Sequence, residues 1–289
     1  MPSPHRAHPA TDRIAPASST SHTLQAGGLR LHYIDYGTAG AAPMLCVHGS
    51  AAHGHWYDFV AGAFNAKHHV LALDQRGHGE SEWGPPNDYI PQRYAADLAE
   101  VVEQLDLRDF VLMGHSMGGM VTLVYAATYP GRIARLIIVD STLRLTEERA
   151  AAMRERGRRE PSFASREELI ARYKLVPGAS TAAPELVRHV AQFADYRHDD
   201  GRWRHKFDRN IYKQRRSVDG MQYLARLRIP VLIVKGSLSD RITPEIHADA
   251  KAHCPQVEVA EVAASGHHAM LDNPQGFASA VNAFLARHA

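Results

Sequence analysis

The chain has 289 residues, enough for one large domain or for one domain carrying an insertion. Its 45% hydrophobic and 22% charged residues are those of an ordinary globular protein, and a formal charge of +2 gives no electrostatic reason to seek nucleic acid or a membrane surface as partner. No apolar run approaches the ~18 residues of a helical membrane span, which excludes that class.

In chain order, residues 1 to about 20 are rich in Ala, Pro, Ser and Thr and lack the apolar stretch of a signal peptide. They read as a disordered leader. Leu29–Tyr36 alternates and stops at Gly37, as a half-exposed strand near an edge does. Met44–Val47, Val70–Leu73, Phe110–Met113, Leu136–Val139 and Val231–Val234 are short continuous apolar runs, the pattern of strands covered on both faces. Val257–Val262 reads as the last strand. Helical segments fall between most of these, at about 54–65, 91–106, 116–129, 243–252 and 274–287. Alternating strands and helices predict an α/β fold with a mostly parallel central sheet and helices on both faces.

The alternation breaks from about residue 143. The expected division is a core of residues 21–142 and 218–289, with a helical cap at 143–217. Two cysteines, Cys46 in an apolar strand and Cys254 in a helix, are sparse usage that fits a reducing, cytoplasmic setting.

The most informative stretch is Gly114-His115-Ser116-Met117-Gly118, between a predicted buried strand and a predicted helix. A serine between glycines at such a junction is a nucleophile elbow: the turn is sharp, and the hydroxyl is pushed out above the sheet. The Met117 N–H then lies in the first helical turn, where amide donors lack partners and the dipole favours negative charge. Serine is a poor nucleophile at neutral pH without a base. Ala264-Ser265-Gly266-His267-His268 follows the final strand, where a histidine can reach back to the elbow. His267 is the expected base and His268 its competitor.

A third group must orient the base. Asp240, on the loop after Val231–Val234, is the expected acid, and Asp140, ending Leu136–Val139, is the other candidate. The order Ser116, Asp240, His267 matches one hydrolase architecture. Two amide donors are needed for an oxyanion. Met117 N–H is one, and Ser50 N–H, from His48-Gly49-Ser50 after the second apolar strand, is the expected other. The site calls for no cofactor and no metal. His53 and His55 with Asp58 nearby do not have metal-ligand spacing and are expected at the pocket mouth or surface.

With these motifs in place, the chain resembles the α/β-hydrolase superfamily from about residue 22 to the end. It carries His48-Gly49 at the oxyanion loop and Asp74-Gln75-Arg76-Gly77-His78-Gly79-Glu80-Ser81, similar to the D-x-R-G-x-G-x-S run of that family. The resemblance assigns Asp74 and Arg76 to holding a loop. It implies hydrolysis of a small carboxylic ester or lactone through an acyl-enzyme. Serine at the elbow argues against the haloalkane dehalogenases and epoxide hydrolases of the superfamily, which have aspartate there. Carbon–carbon hydrolases and amidases share the same three residues and stay open, as do a cofactor-free dioxygenase or lyase and a non-catalytic receptor on this fold.

Residues 144–216 hold 18 Arg and Lys against 11 Asp and Glu, a formal +7. Two readings stand side by side. The charges lie on solvated helix faces, or they steer a carboxylate-bearing small-molecule substrate to the site. The oligomeric state is left open.

Overall fold

The computed structural model describes residues 15–289. The first fourteen residues of the expected leader therefore lie outside the described part. The rest of that expectation is corrected: the Ala17 N–H donates to the Asp58 carbonyl at 2.8 Å, Ala17 packs against buried apolar residues, and a strand begins at Thr20.

Among the described residues twelve strands run in chain order: β1 (Thr20–Ala26), β2 (Leu29–Asp35), β3 (Ala42–Val47), β4 (His68–Leu73), β5 (Phe110–His115), β6 (Ile133–Val139), β7 (Arg144–Leu145), β8 (Asp195–Arg197), β9 (Trp203–His205), β10 (Val218–Asp219), β11 (Val231–Gly236) and β12 (Val257–Val262). Eight form the central sheet, in the order β1-β2-β4-β3-β5-β6-β11-β12. From β4 to β12 every neighbouring pair is parallel, whereas β1–β2 and β2–β4 are antiparallel. β1 is a polar, largely exposed edge strand. It has no apolar alternation to betray it, which is why the sequence reading missed it.

The inner strands are buried as their composition demands. All six residues of β5 are buried, and Leu136–Val139 of β6 are buried throughout. Helices cover both faces, giving two apolar layers. One holds Leu98, Val101 and Leu123, and the other Phe64, Phe277 and Phe284. The helix Pro91–Gln104 shows how one face is built: Tyr94, Ala95, Leu98, Val101 and Val102, at helical spacing, point inward, and Pro91 sits at the helix start, where its missing N–H costs nothing.

After β6 the chain leaves the sheet and returns at β11. β7 and β10 pair antiparallel, Arg144 opposite Asp219 and Leu145 opposite Val218, so the two ends of the insertion are zipped together. Between them lie helices Glu147–Gly157, Arg166–Arg172 and Pro184–Ala191 and the ribbon β8–β9. Among the contacts that tie this insertion to the core are His189 Nε2 to Asp58 Oδ2 at 2.6 Å, His53 Nε2 donating to the Val190 carbonyl at 3.0 Å, and Tyr89 Oη–H donating to Asp208 Oδ2 at 2.6 Å. His53 is buried and lines a small cavity beside Ser50 and Trp56, and His55, half-buried, is bonded to Asp58, so of the two expected places His53 takes the pocket rather than the surface. No helix of the described residues is long and apolar enough to cross a membrane.

Candidate active site

The C-terminal ends of parallel strands present ligand-binding loops, and four such ends converge here. Ser116 follows β5 and caps the helix Met117–Thr128. Its φ of 53° and ψ of −113° lie in a region that L-residues rarely occupy. The strain is held by neighbours: Ser116 N–H donates to the Val139 carbonyl at 2.9 Å, and Ser141 Oγ–H donates to the Ser116 carbonyl at 2.7 Å. A Cβ on Gly118 would collide with the carbonyls of Val47 and His48, and one on Gly114 with the Gly118 backbone. Only glycine lets the helix start this close to β3.

His267 lies on the loop after β12. Gly266 N–H donates to Asp272 Oδ2 at 2.8 Å, and His115 Nε2 donates to the His267 carbonyl at 2.9 Å, which fixes the backbone of the loop. His267 Nε2 is 2.9 Å from Ser116 Oγ. His268 faces elsewhere, with Nε2 donating to the Pro177 carbonyl at 3.2 Å.

The acid is not the one the sequence reading favoured. The carboxylate at His267 Nδ1 belongs to Asp140, 2.6 Å away and fully buried. Asp240 is corrected to a surface residue: its side chain is 80% exposed and pairs with Arg149 at 3.5 Å. The reason is topological. β6 lies next to β5 in the sheet, so Asp140, the first residue past β6, stands beside the elbow. Its N–H is held by the Val234 carbonyl at 2.7 Å. Asp240 falls four residues beyond β11, after the chain has turned outward. That loop contributes Ser239 instead, whose hydroxyl donates to Asp140 Oδ2 at 2.7 Å. The chain order of Ser116, Asp140 and His267 is the same as with Asp240, so order alone did not separate the two acids.

Burial pushes Asp140 up to about 6, with Ser239 and Arg241 opposing. Burial, helped by His268 and Arg241, holds His267 well below the usual histidine range, so its imidazole is neutral at pH 7. With Nδ1–H donating to Asp140, the Nε2 lone pair faces the serine hydroxyl, which is the tautomer a base requires.

Met117 and Ser50 lie on opposite sides of Ser116 in the chain but line the same cavity, their side chains both 2.9 Å from one guanidinium nitrogen of Arg215. Gly49 approaches so closely that a Cβ there would lie 3.1 Å from Ser116 Cβ and 2.8 Å from His115 Nδ1. The loop is pinned by His48, whose Nδ1–H donates to the Gly49 carbonyl at 2.7 Å while Nε2 accepts from Gln75 N–H at 3.0 Å. Among the described residues, neither the Ser50 nor the Met117 N–H donates to a backbone carbonyl.

Beneath this loop Asp74 accepts from Gly54 N–H at 2.6 Å and Glu80 N–H at 2.9 Å, and Arg76 is fully buried against Asp97. Both act on loop structure, away from the reacting atoms. His115, His267 and His268 offer ring nitrogens within 4.8 Å of one another. Both His267 nitrogens are already bonded, so a three-histidine metal site would form only by breaking the link to Ser116 or to Asp140.

A cavity of about 650 Å³ opens above Ser116 and His267, with Trp56, Met117 and Met120 on its wall and Val176 and Arg215 of the insertion facing them. The sequence reading did not single out Arg215. Its only signal was a place among many arginines.

Residues 42–274 match the model of a family described as alpha/beta hydrolase fold. The chain is similar to the N-formylmaleamate deformylase of Pseudomonas putida, 28% identical over 91% of this chain and 95% of the relative. It is also similar to 3-oxoadipate enol-lactonase 2 of Acinetobacter baylyi, 24% identical over 92% and 96%. Among solved structures, the crystal structure of E-2-(acetamidomethylene)succinate hydrolase superposes with a TM-score of 0.81 at 23% identity, covering 93% of this chain and all of that one.

Proposed function

Since the chain belongs to the alpha/beta hydrolase fold family, whose members share a scaffold rather than a reaction, we propose from the site itself that it is a serine hydrolase of small carboxylic esters or lactones. The observation that carries this reading is the continuous line Ser116 Oγ, His267 Nε2, His267 Nδ1, Asp140 Oδ2, with spacings of 2.9 and 2.6 Å. The Ser116 hydroxyl attacks the carbonyl carbon while its proton passes to His267 Nε2. Asp140 stabilises the imidazolium that forms. The carbonyl oxygen takes the negative charge and is met by the N–H groups of Met117 and Ser50. Collapse expels the alcohol, which takes the proton from His267. Water, deprotonated in turn by His267, then releases the acid and restores the serine.

The enol-lactonase name of one relative supports an oxygen ester as the scissile bond. The deformylase name of the other supports a second reading, cleavage of an N-acyl bond by the same residues. A fluorophosphonate label followed by peptide mass spectrometry tests the chemistry, together with a turnover panel of esters, lactones and N-formyl amides. The expected result is modification of Ser116 and turnover that disappears with it. Labelling elsewhere, or turnover that persists in Ser116→Ala, overturns the reading.

A further inference from the structure

Arg215 sits on the segment by which the insertion returns to the core, and its Nη2 lies 2.9 Å from both Ser50 Oγ and Met117 Sδ. These are the side chains of the two residues to whose amides the serine-hydrolase reading assigns the oxyanion. The position is fixed from behind, because the Arg215 carbonyl accepts from Arg154 Nη1 at 2.5 Å. Its Nε is buried and has no hydrogen-bond partner. Among the described residues no carboxylate lies within 4.0 Å of this guanidinium.

Arg209, also without a carboxylate within 4.0 Å among the described residues, is spent on the backbone carbonyls of Arg156, Gly157 and Arg159, whereas three other arginines are matched. Arg76 has Asp97, Arg166 has Asp195 at 2.7 Å, and Arg204 has Asp200 at 2.6 Å. The cavity wall carries Arg156, Arg215, Arg216 and Arg241, and no aspartate or glutamate lines it. The histidines of the wall do not add to that charge, since burial pulls His115, His267 and His268 all downward. Burial lowers Arg215 as well, yet an arginine stays protonated at any working pH. A half-buried cation facing a hydroxyl and a thioether is incompletely satisfied, and a carboxylate would relieve it with charge-assisted hydrogen bonds in the planar geometry a guanidinium offers.

We propose that Arg215 is a carboxylate-recognition residue, and that the substrate is a half-ester or lactone whose free carboxylate lies beside the scissile carbonyl. This deepens the serine-hydrolase reading and rests on it for the bond cleaved, but not for the anion bound. It also narrows the role of the basic insertion from diffuse steering to one directed contact.

The test compares monoethyl with diethyl succinate, glutarate and adipate by pH-stat. Wild-type protein should favour the half-ester of at least one chain length about tenfold or more in kcat/KM, the size expected of one charge-assisted contact. Arg215→Gln should reduce that preference at least tenfold, mainly through KM, with Arg215→Lys in between. Arg202→Gln, on the exposed surface of the insertion, should leave it unchanged. In parallel, calorimetry of the free dicarboxylates with Ser116→Ala protein should show binding that Arg215→Gln weakens by a similar factor. Equal turnover of half-ester and diester at every length, with Ser116 still acylated, overturns the subsite alone. So does a preference or a dicarboxylate affinity that survives Arg215→Gln. If no ester acylates Ser116 while dicarboxylate binding still follows Arg215, the hydrolase reading fails and the anion site stands. Thermal unfolding of each variant separates lost contact from lost fold.

Discussion

Two arginines, one fully buried in the core and one half-buried over the elbow, make the most instructive contrast in the molecule. Arg76 is fully buried, and its guanidinium forms a two-pronged pair with Asp97 of the helix Pro91–Gln104, while Asp88 lies 3.4 Å from Nη1. Arg215 is half-buried above the elbow and meets a hydroxyl and a sulfur. The first arrangement is complete without a ligand and locks a loop to a helix. The second is incomplete, and it stands where a substrate would enter. A matched buried charge reads as structure, and an unmatched, half-buried charge beside Ser116 reads as recognition.

The largest effects should come from the reacting groups, which sharpen the contrast by moving activity without stability. Ser116→Ala and His267→Ala should each lower kcat by about 10³–10⁶-fold while the denaturation midpoint stays nearly constant, whereas His268→Ala should retain most turnover. Next comes the acid. Asp140→Asn should cost roughly 10³–10⁴-fold in kcat, and Asp240→Asn, on an exposed side chain, less than about twofold. Steady-state kinetics on the two variants decide between the carboxylates, and a reversed outcome would return Asp240 to the site.

The arginines themselves give the third test, read by urea unfolding. Arg76→Met strands Asp97 in the core and should destabilise by about 3–5 kcal/mol. Arg215→Met strands nothing, so stability should change by less than about 1 kcal/mol or rise. If both substitutions destabilise equally, the contrast is wrong.

The smallest expected effect is on pH dependence. Asp140 has its carboxyl raised to about 6, so it is ionised above that value and takes up a proton below it. The loss of its charge removes the stabilisation of the His267 imidazolium. His267, shifted the other way by burial, stays neutral through this range and does not set the limb. Consequently kcat/KM should be flat near neutrality and fall up to about tenfold per unit below pH 6. An acid limb near 4 would mean that a solvated carboxylate fills the role.

Much of this protein is legible in one dimension because the relevant physics is local. A continuous apolar run can only be an inner strand, and glycines around Ser116 answer to collisions with Val47, His48 and Gly118 that any residue with a Cβ would suffer. His267 was legible as well, since the loop after the last strand has one short route back to the elbow. Three features were not. β1 pairs through its backbone at an exposed edge, so its side chains carry no pattern. Both Asp140 and Asp240 follow buried strands and precede His267. Their ranking depended on strand order, which places β6 against β5 and sends the chain after β11 outward. Arg215 is one of 18 basic residues in its segment, and nothing in its neighbours along the chain marks it.

The amino-acid sequence by itself therefore determined the layered α/β architecture, the strained serine and the imidazole that stands beside it, because each follows from sterics or hydrophobic pattern within a few residues. Tertiary structure decided which carboxylate holds that imidazole and which arginine is left without a counter-charge. Those are questions of distance between segments remote in the chain, and electrostatic partnership is set by what the fold brings within a few ångströms.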